Sequence, residues 1–231
     1  MSEYITVTTP DGSFSAYVAR PKELPAPAIV VIQEIFGVNA DLRDSCDELA
    51  AQGYLAVSPD LFWRMEPGVD MSDQSEAEWK KAFALYTAFD YDAGVADIVS
   101  TMATARTLPG ANGKVGLMGF CLGGLMTFLT AVRYGVDAAV AYHGGDTEKY
   151  LGEVNRLDAP LLMHLAEEDE FISKSAQAEI KTALASKPNA TVYSYPGQRH
   201  AFARHNGTHY NAAAAALANG RTSEFLRQQL R

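Results

Sequence analysis

Six residues, Gly119-Phe120-Cys121-Leu122-Gly123-Gly124, constrain this chain more than any others; they follow the apolar run Val115-Gly116-Leu117-Met118 and open a second apolar run with helical spacing. Glycine two places before and two places after the cysteine lets the backbone turn from strand to helix within one residue and lifts the side chain clear of the sheet. A thiol in that position meets the free amides and the positive end of the helix it begins, and both favour the nucleophilic thiolate. The segment therefore specifies a strand that passes at once into a helix, with a nucleophile at the turn.

The rest of the chain alternates in the same way. Strand-like runs at 4–8 and 14–19, joined through Pro10-Asp11-Gly12, predict a hairpin at a sheet edge. The β-branched run at 28–32 shows no alternation, the pattern of a strand covered on both faces. A helix is expected over about 40–52, a strand at 54–57 ending in Ser58-Pro59-Asp60, a helix opened by the capping box Ser75-x-x-Glu78, and another over 92–106 that Leu108-Pro109-Gly110 stops. Strands follow at 137–142, 160–165 and 190–195, with helices near 174–186 and from 211 to about 229. The alanines at 212–216 suit a close-packed helix face. Strand–helix alternation without a repeat or linker predicts one α/β domain over 1–231, a mostly parallel sheet with helices on both faces.

A chain of 231 residues with 48% hydrophobic and 20% charged residues can bury a core without disulfides or metals. Its two cysteines need no pairing, and Cys46, in a helical stretch, reads as a packed, inert thiol. The net charge of −9 and the scattered basic residues argue against nucleic acid as a partner. The amino terminus has no basic segment leading into an apolar core, and no run of about eighteen apolar residues occurs, so a cytoplasmic protein with no membrane partner is expected. Histidines 143, 164, 205 and 209 show no metal-site spacing, and no metal or cofactor is expected.

Cys121 is followed along the chain by Asp169 and then by His200, each just beyond a strand-like run and so on a loop at the carboxyl edge of the sheet, where open α/β sheets carry their sites. Glu167, Glu168 and Glu170 compete with Asp169 for the acid position. Glu34 closes a buried strand, where a carboxylate is costly unless it is paired, with Arg204 for example, or serves the chemistry. His143 follows a strand at the same edge and is either a pocket residue or a loop residue.

Gln33-Glu34-Ile35-Phe36-Gly37-Val38-Asn39, the cysteine elbow, the Asp169 loop and His200-Ala201-Phe202-Ala203-Arg204 together resemble the dienelactone hydrolases, also called carboxymethylenebutenolidases. The resemblance runs nearly end to end, through Tyr86-Thr87-Ala88-Phe89-Asp90 and 212–221, and the elbow cysteine is its most specific element, because most α/β-hydrolases carry serine there. It implies an α/β-hydrolase fold and a small ester or lactone, carboxylate-bearing in some members, as substrate. Cys121 would be the nucleophile, His200 the general base and acid, and Asp169 the group that orients His200. Glu34 would help activate the thiol, and the backbone amides of Ile35 and Leu122 would form an oxyanion hole. Arg204 would hold a substrate carboxylate, with Phe36, Trp79, Phe83 and Tyr142 completing the substrate site. Members that act on dienelactone place an arginine and a tyrosine where this chain has Trp79 and Phe83, so a more apolar pocket is expected. Two other readings stay open: a broader carboxylesterase or thioesterase, and a catalytically idle hydrolase fold that binds a ligand. A monomer is expected.

Overall fold

The computed structural model describes residues 2–231, which divide into two compact units, one ending at Leu117 and one running from Met118 to Arg231. The first unit opens with β1 (Ser2–Thr9) and β2 (Gly12–Ala19), an antiparallel hairpin in the register Thr9↔Gly12 to Ser2↔Ala19. Thr9 shapes the turn by donating its hydroxyl to the Gly12 carbonyl and accepting from the Asp11 amide. The chain continues through β3 (Ala26–Ile32), α1 (Ala40–Ala51), β4 (Leu55–Pro59), α2 (Glu76–Ala88) and α3 (Tyr91–Thr107). Here β2 pairs antiparallel with β4, and β4 pairs parallel with β3. Every residue of β3 and β4 is buried, as expected of an apolar run without alternation.

Leu42, Cys46 and Leu49 recur at helical spacing on α1, and Val95, Ile98, Met102 and Ala105 on α3; these are the faces the helices bury. At about 1.5–3 kcal/mol for each fully buried large aliphatic side chain, these faces hold the helices in place. Asn39, Ser75 and Asp90 cap α1, α2 and α3 by accepting from first-turn amides. Both tryptophans are anchored through their indole N–H groups: Trp63 donates to the buried Asp97, which also takes Arg64, and Trp79 donates to the Asp73 carbonyl. Cys46 is a free, fully buried thiol whose pKa burial pushes up, as an inert packed cysteine requires.

Strand β5 (Ala111–Phe120) runs across the division at Leu117 into the second unit. There α4 (Leu122–Tyr134), β6 (Ala138–Tyr142), a 3₁₀ segment (Thr147–Arg156), β7 (Leu161–Ala166), α5 (Lys174–Ala185), β8 (Ala190–Tyr195) and α6 (Ala212–Leu230) follow. β6 pairs parallel with β7, and β7 with β8. The 3₁₀ segment was not predicted; it has apolar Leu151 and Val154 among charged residues, too thin a pattern to distinguish from loop.

Within this unit a buried polar network ties α6 to the strands. The Tyr142 hydroxyl meets Asn219 at 3.0 Å and Thr222 at 2.6 Å; His164 joins Thr222 through Nε2 at 3.0 Å and Tyr195 through Nδ1 at 2.7 Å. Burial first, then the charge of Arg221, lowers the His164 pKa to about 3, so the network is built around a neutral imidazole.

The elbow glycines have a steric reason. A Cβ at Gly119 would lie 2.1 Å from the Gly123 carbonyl oxygen, and one at Gly124 would lie 2.4 Å from the Tyr142 carbonyl oxygen. Gly119→Ala should therefore cost about 2 kcal/mol or more and slow Cys121 alkylation, because backbone rather than a flexible side chain has to move. Urea unfolding and iodoacetamide kinetics check this, and wild-type values in both would contradict the packing argument.

His164 supplies a second expectation. Its folded pKa of about 3 lies below the ordinary 6.5, so the unfolded chain binds the extra proton between those values. The stability it contributes is complete above pH 6.5 and is lost as the pH falls toward 3. Urea midpoints measured from pH 7.5 to 4 should fall, and His164→Gln should flatten that fall; equal slopes in the two proteins would count against the neutral imidazole.

Candidate active site

Phe120 ends β5, and Cys121 turns the chain with φ 54° and ψ −117°, a backbone conformation that non-glycine residues rarely occupy. Its amide donates to the Tyr142 carbonyl at 3.1 Å, tying the elbow to the end of β6. Its carbonyl takes the amides of Gly124 and Leu125 as α4 begins. Leu122, the first residue of α4, carries one of the early amides that an α-helix leaves without an intrahelical acceptor.

Asp169 lies in the loop between β7 and α5, its side chain fully buried, and accepts from His200 Nδ1 at 2.9 Å. Oδ1 of the same carboxylate accepts the Phe171 amide at 2.8 Å and the Ile172 amide at 3.2 Å, which fixes its orientation. The competing acids have other partners: Glu168 pairs with Lys174 at 2.6 Å, and Glu170 pairs with Arg199 and accepts the His200 amide at 3.2 Å. His209 donates to the His200 carbonyl at 3.1 Å, a support from the loop before α6 that no sequence pattern announced.

His200 is buried and keeps its proton more firmly than an ordinary imidazole. Burial works against its charge, but Cys121 and then Asp169 outweigh it and raise the pKa to about 10. Nδ1 is committed to Asp169, while the buried Nε2 has no hydrogen-bond partner among the described residues. An imidazole oriented by a carboxylate and sharing its charge with a cysteine can carry a proton to and from a reacting group.

His143, which sequence reasoning left open, is buried with φ 36°, and its ring centroid lies 4.4 Å from that of His200. Tyr142 is buried too, with its hydroxyl committed to Thr222 and Asn219 and its ring 4.7 Å from Phe120. Arg204 sits in the short turn after His200, its amide donating to the Ala201 carbonyl at 3.0 Å.

The remaining candidates belong to the first unit. Glu34 and Ile35 follow β3 and are buried. Phe36 packs edge-on against Trp79 at 5.0 Å, and Trp79 stacks on Phe83 at 5.5 Å, so the three aromatic candidates form one cluster. Glycine is required at 37 twice over: φ is positive at 79°, and a Cβ there would lie 2.0 Å from the Val69 carbonyl oxygen. Among the described residues no group of three or more His, Cys, Asp or Glu side chains is placed to hold a metal ion.

Comparison with known proteins bears on this geometry. Residues 14–230 match the sequence model of the Dienelactone hydrolase family. A carboxymethylenebutenolidase of Pseudomonas putida is 42% identical over 227 residues, covering 98% of this chain and 96% of its own. A protein of Azospirillum brasilense, provisionally named a carboxymethylenebutenolidase, is 47% identical over 222 residues, with 95% of each chain covered. Among solved structures, a provisionally named dienelactone hydrolase of Klebsiella pneumoniae superposes with a TM-score of 0.87 at 27% identity, covering 99% of this chain and 98% of its own. Eight strands that are mostly parallel, a helix springing from a strained cysteine, and these likenesses agree: the chain is an α/β-hydrolase that belongs to the dienelactone hydrolase family.

Proposed function

We propose that this hydrolase opens small esters or lactones through an acyl-enzyme on Cys121. The observation that carries the reading is the buried His200 imidazole, oriented by Asp169 at 2.9 Å, whose pKa Cys121 and Asp169 together raise. The Cys121 sulfur, its proton held by His200, attacks the carbonyl carbon and the carbon–oxygen bond of the leaving group breaks. Nε2–H of His200 returns its proton to the departing alkoxide, which in a lactone stays tethered to the acyl group. A neutral His200 then takes a proton from water as that water attacks the thioester. The carbon–sulfur bond breaks, and the thiolate and imidazolium are restored.

The Leu122 amide is one proposed donor to the oxyanion, and the family resemblance assigns the other to Ile35. The same resemblance gives Glu34 a part in activating the thiol and Arg204 a substrate carboxylate, a task that suits a planar guanidinium. The resemblance also gives Phe36, Trp79 and Phe83 to the substrate site, and their apolar character favours a second reading, in which larger apolar acyl groups are also accepted.

Cys121→Ala should lose at least about a thousandfold in kcat/KM on p-nitrophenyl acetate while its thermal unfolding stays near wild type, since only a small side chain is removed. Turnover that survives in a preparation free of other esterases would sink the covalent mechanism. Asp169→Asn should lower kcat by roughly 10²- to 10⁴-fold with little change in KM, because His200 loses the partner that sets its tautomer and stabilises its cation. A near-normal rate would exclude Asp169 from the mechanism.

Substrate class is tested separately. Arg204→Ala should reduce kcat/KM on carboxylate-bearing lactones at least about tenfold more than on neutral esters of similar size. Equal losses on the two substrates would remove the anionic substrate and favour the broader esterase.

A further inference from the structure

His143 is expensive to keep. Its backbone is left-handed, its ring is 1% exposed, and neither ring nitrogen has a hydrogen-bond partner among the described residues. An unsatisfied buried polar group costs about 1–3 kcal/mol, and a left-handed backbone at a non-glycine residue adds a similar amount. Its ring centroid is 4.4 Å from that of His200, tilted by 60°, while Phe171 meets His200 edge-on at 4.8 Å. Two rings thus cover His200.

We propose that His143 is a positioning residue for His200, a neutral ring wall that, with Phe171, keeps water off the imidazole so that its charge follows the state of the Cys121 sulfur. The proposal rests on the hydrolytic reading above, in which that sulfur alternates between thiolate and thioester.

The groups facing His200 within its unit divide into variable and constant ones. Asp169 at Nδ1, Glu170 at the backbone amide and its partner Arg199, and His209 at the carbonyl take no part in the bond changes of the proposed cycle, and Arg204, whose charge reaches His143, meets a new charge only with an anionic substrate. On a neutral ester, Cys121 is the member of this group that changes. As a thiolate it holds the proton on His200 against the effect of burial; as a neutral thioester it releases that hold, and burial then favours the neutral imidazole that must take a proton from water. A wall that admitted water would screen the sulfur and weaken the switch.

The left-handed backbone accounts for the choice of histidine. Asn, Asp and His enter that region several-fold more readily than other non-glycine residues, and of these only histidine carries an aromatic ring. Burial first, and then the charge on His200, keep the His143 ring neutral.

The test is an NMR titration of His200 in protein carrying ¹⁵N-labelled histidine, with Cys121 free and with it capped as a methyl disulfide by methyl methanethiosulfonate. Capping should lower the wild-type midpoint by about 2 pH units or more, within the range over which burial and a lost counter-charge move a buried group. In His143→Asn, which tolerates the backbone but presents no ring, the drop should shrink to less than half. His143→Phe should keep the wild-type drop, and Phe171→Ala, at a half-exposed residue, should show an intermediate one. A wild-type drop in His143→Asn, or a Phe variant that behaves like the Asn one, overturns the proposal; in the second case the nitrogens, not the ring, would be what matters. Should His143→Asn fail to fold, a wild-type drop in Phe171→Ala overturns it. Titration needs no turnover, so an active Cys121→Ala enzyme would defeat the hydrolytic reading without deciding this one.

Discussion

The backbone of Cys121 sits in a conformation that costs about 1–3 kcal/mol, and other features of the second unit follow from holding it there. Helix α4 must begin at once to use the amides the turn exposes, and glycine must stand at 119 and 124 because carbonyl oxygens pass within 2.1 and 2.4 Å of where a Cβ would be. The Tyr142 carbonyl must lie where it can accept the Cys121 amide, so the end of β6 is fixed as well. Tyr142 in turn is held through its hydroxyl by Thr222 and Asn219 of α6. The strain at Cys121 is supported by a chain of contacts that ends in the last helix.

Three buried imidazoles in this unit show how little the residue type alone decides. His164 is neutral because both ring nitrogens are used by neutral hydroxyl partners in a dry interior. His143 is neutral because it is buried and lies beside a charged neighbour. His200, equally buried, has its pKa raised instead, by Cys121 and by the carboxylate that holds Nδ1. The difference lies in what each nitrogen meets.

That contrast also explains which parts of the molecule could be read from the sequence. The elbow, the alternating strands and helices and the order Cys121, Asp169, His200 were legible because each depends on short-range patterns: glycine spacing, apolar periodicity and strand ends. The hairpin and the fully covered strands β3 and β4 follow from the same signals. Choosing Asp169 over Glu167, Glu168 and Glu170 was not possible from composition, since four acids in a row look alike until the loop directs one inward and gives Glu168 and Glu170 to basic partners. His143 was ambiguous for a similar reason, because its significance lies in a ring 57 positions away. The network around His164 draws on β6, β7, β8 and α6, a grouping that no local window contains.

The placing of the two tryptophans has a practical consequence. Trp63 and Trp79 both belong to the first unit, each fixed through its indole N–H, and the second unit contains neither. Indole fluorescence from this protein is therefore a signal of one half of the chain. The two thiols differ as well: Cys121 of the second unit is partly exposed in the folded protein, whereas Cys46 of the first unit is sealed in the core and becomes reactive only as that unit opens. With Cys121 blocked beforehand, light emission and Cys46 exposure followed through the same denaturant series give two separate readings of the first unit's unfolding.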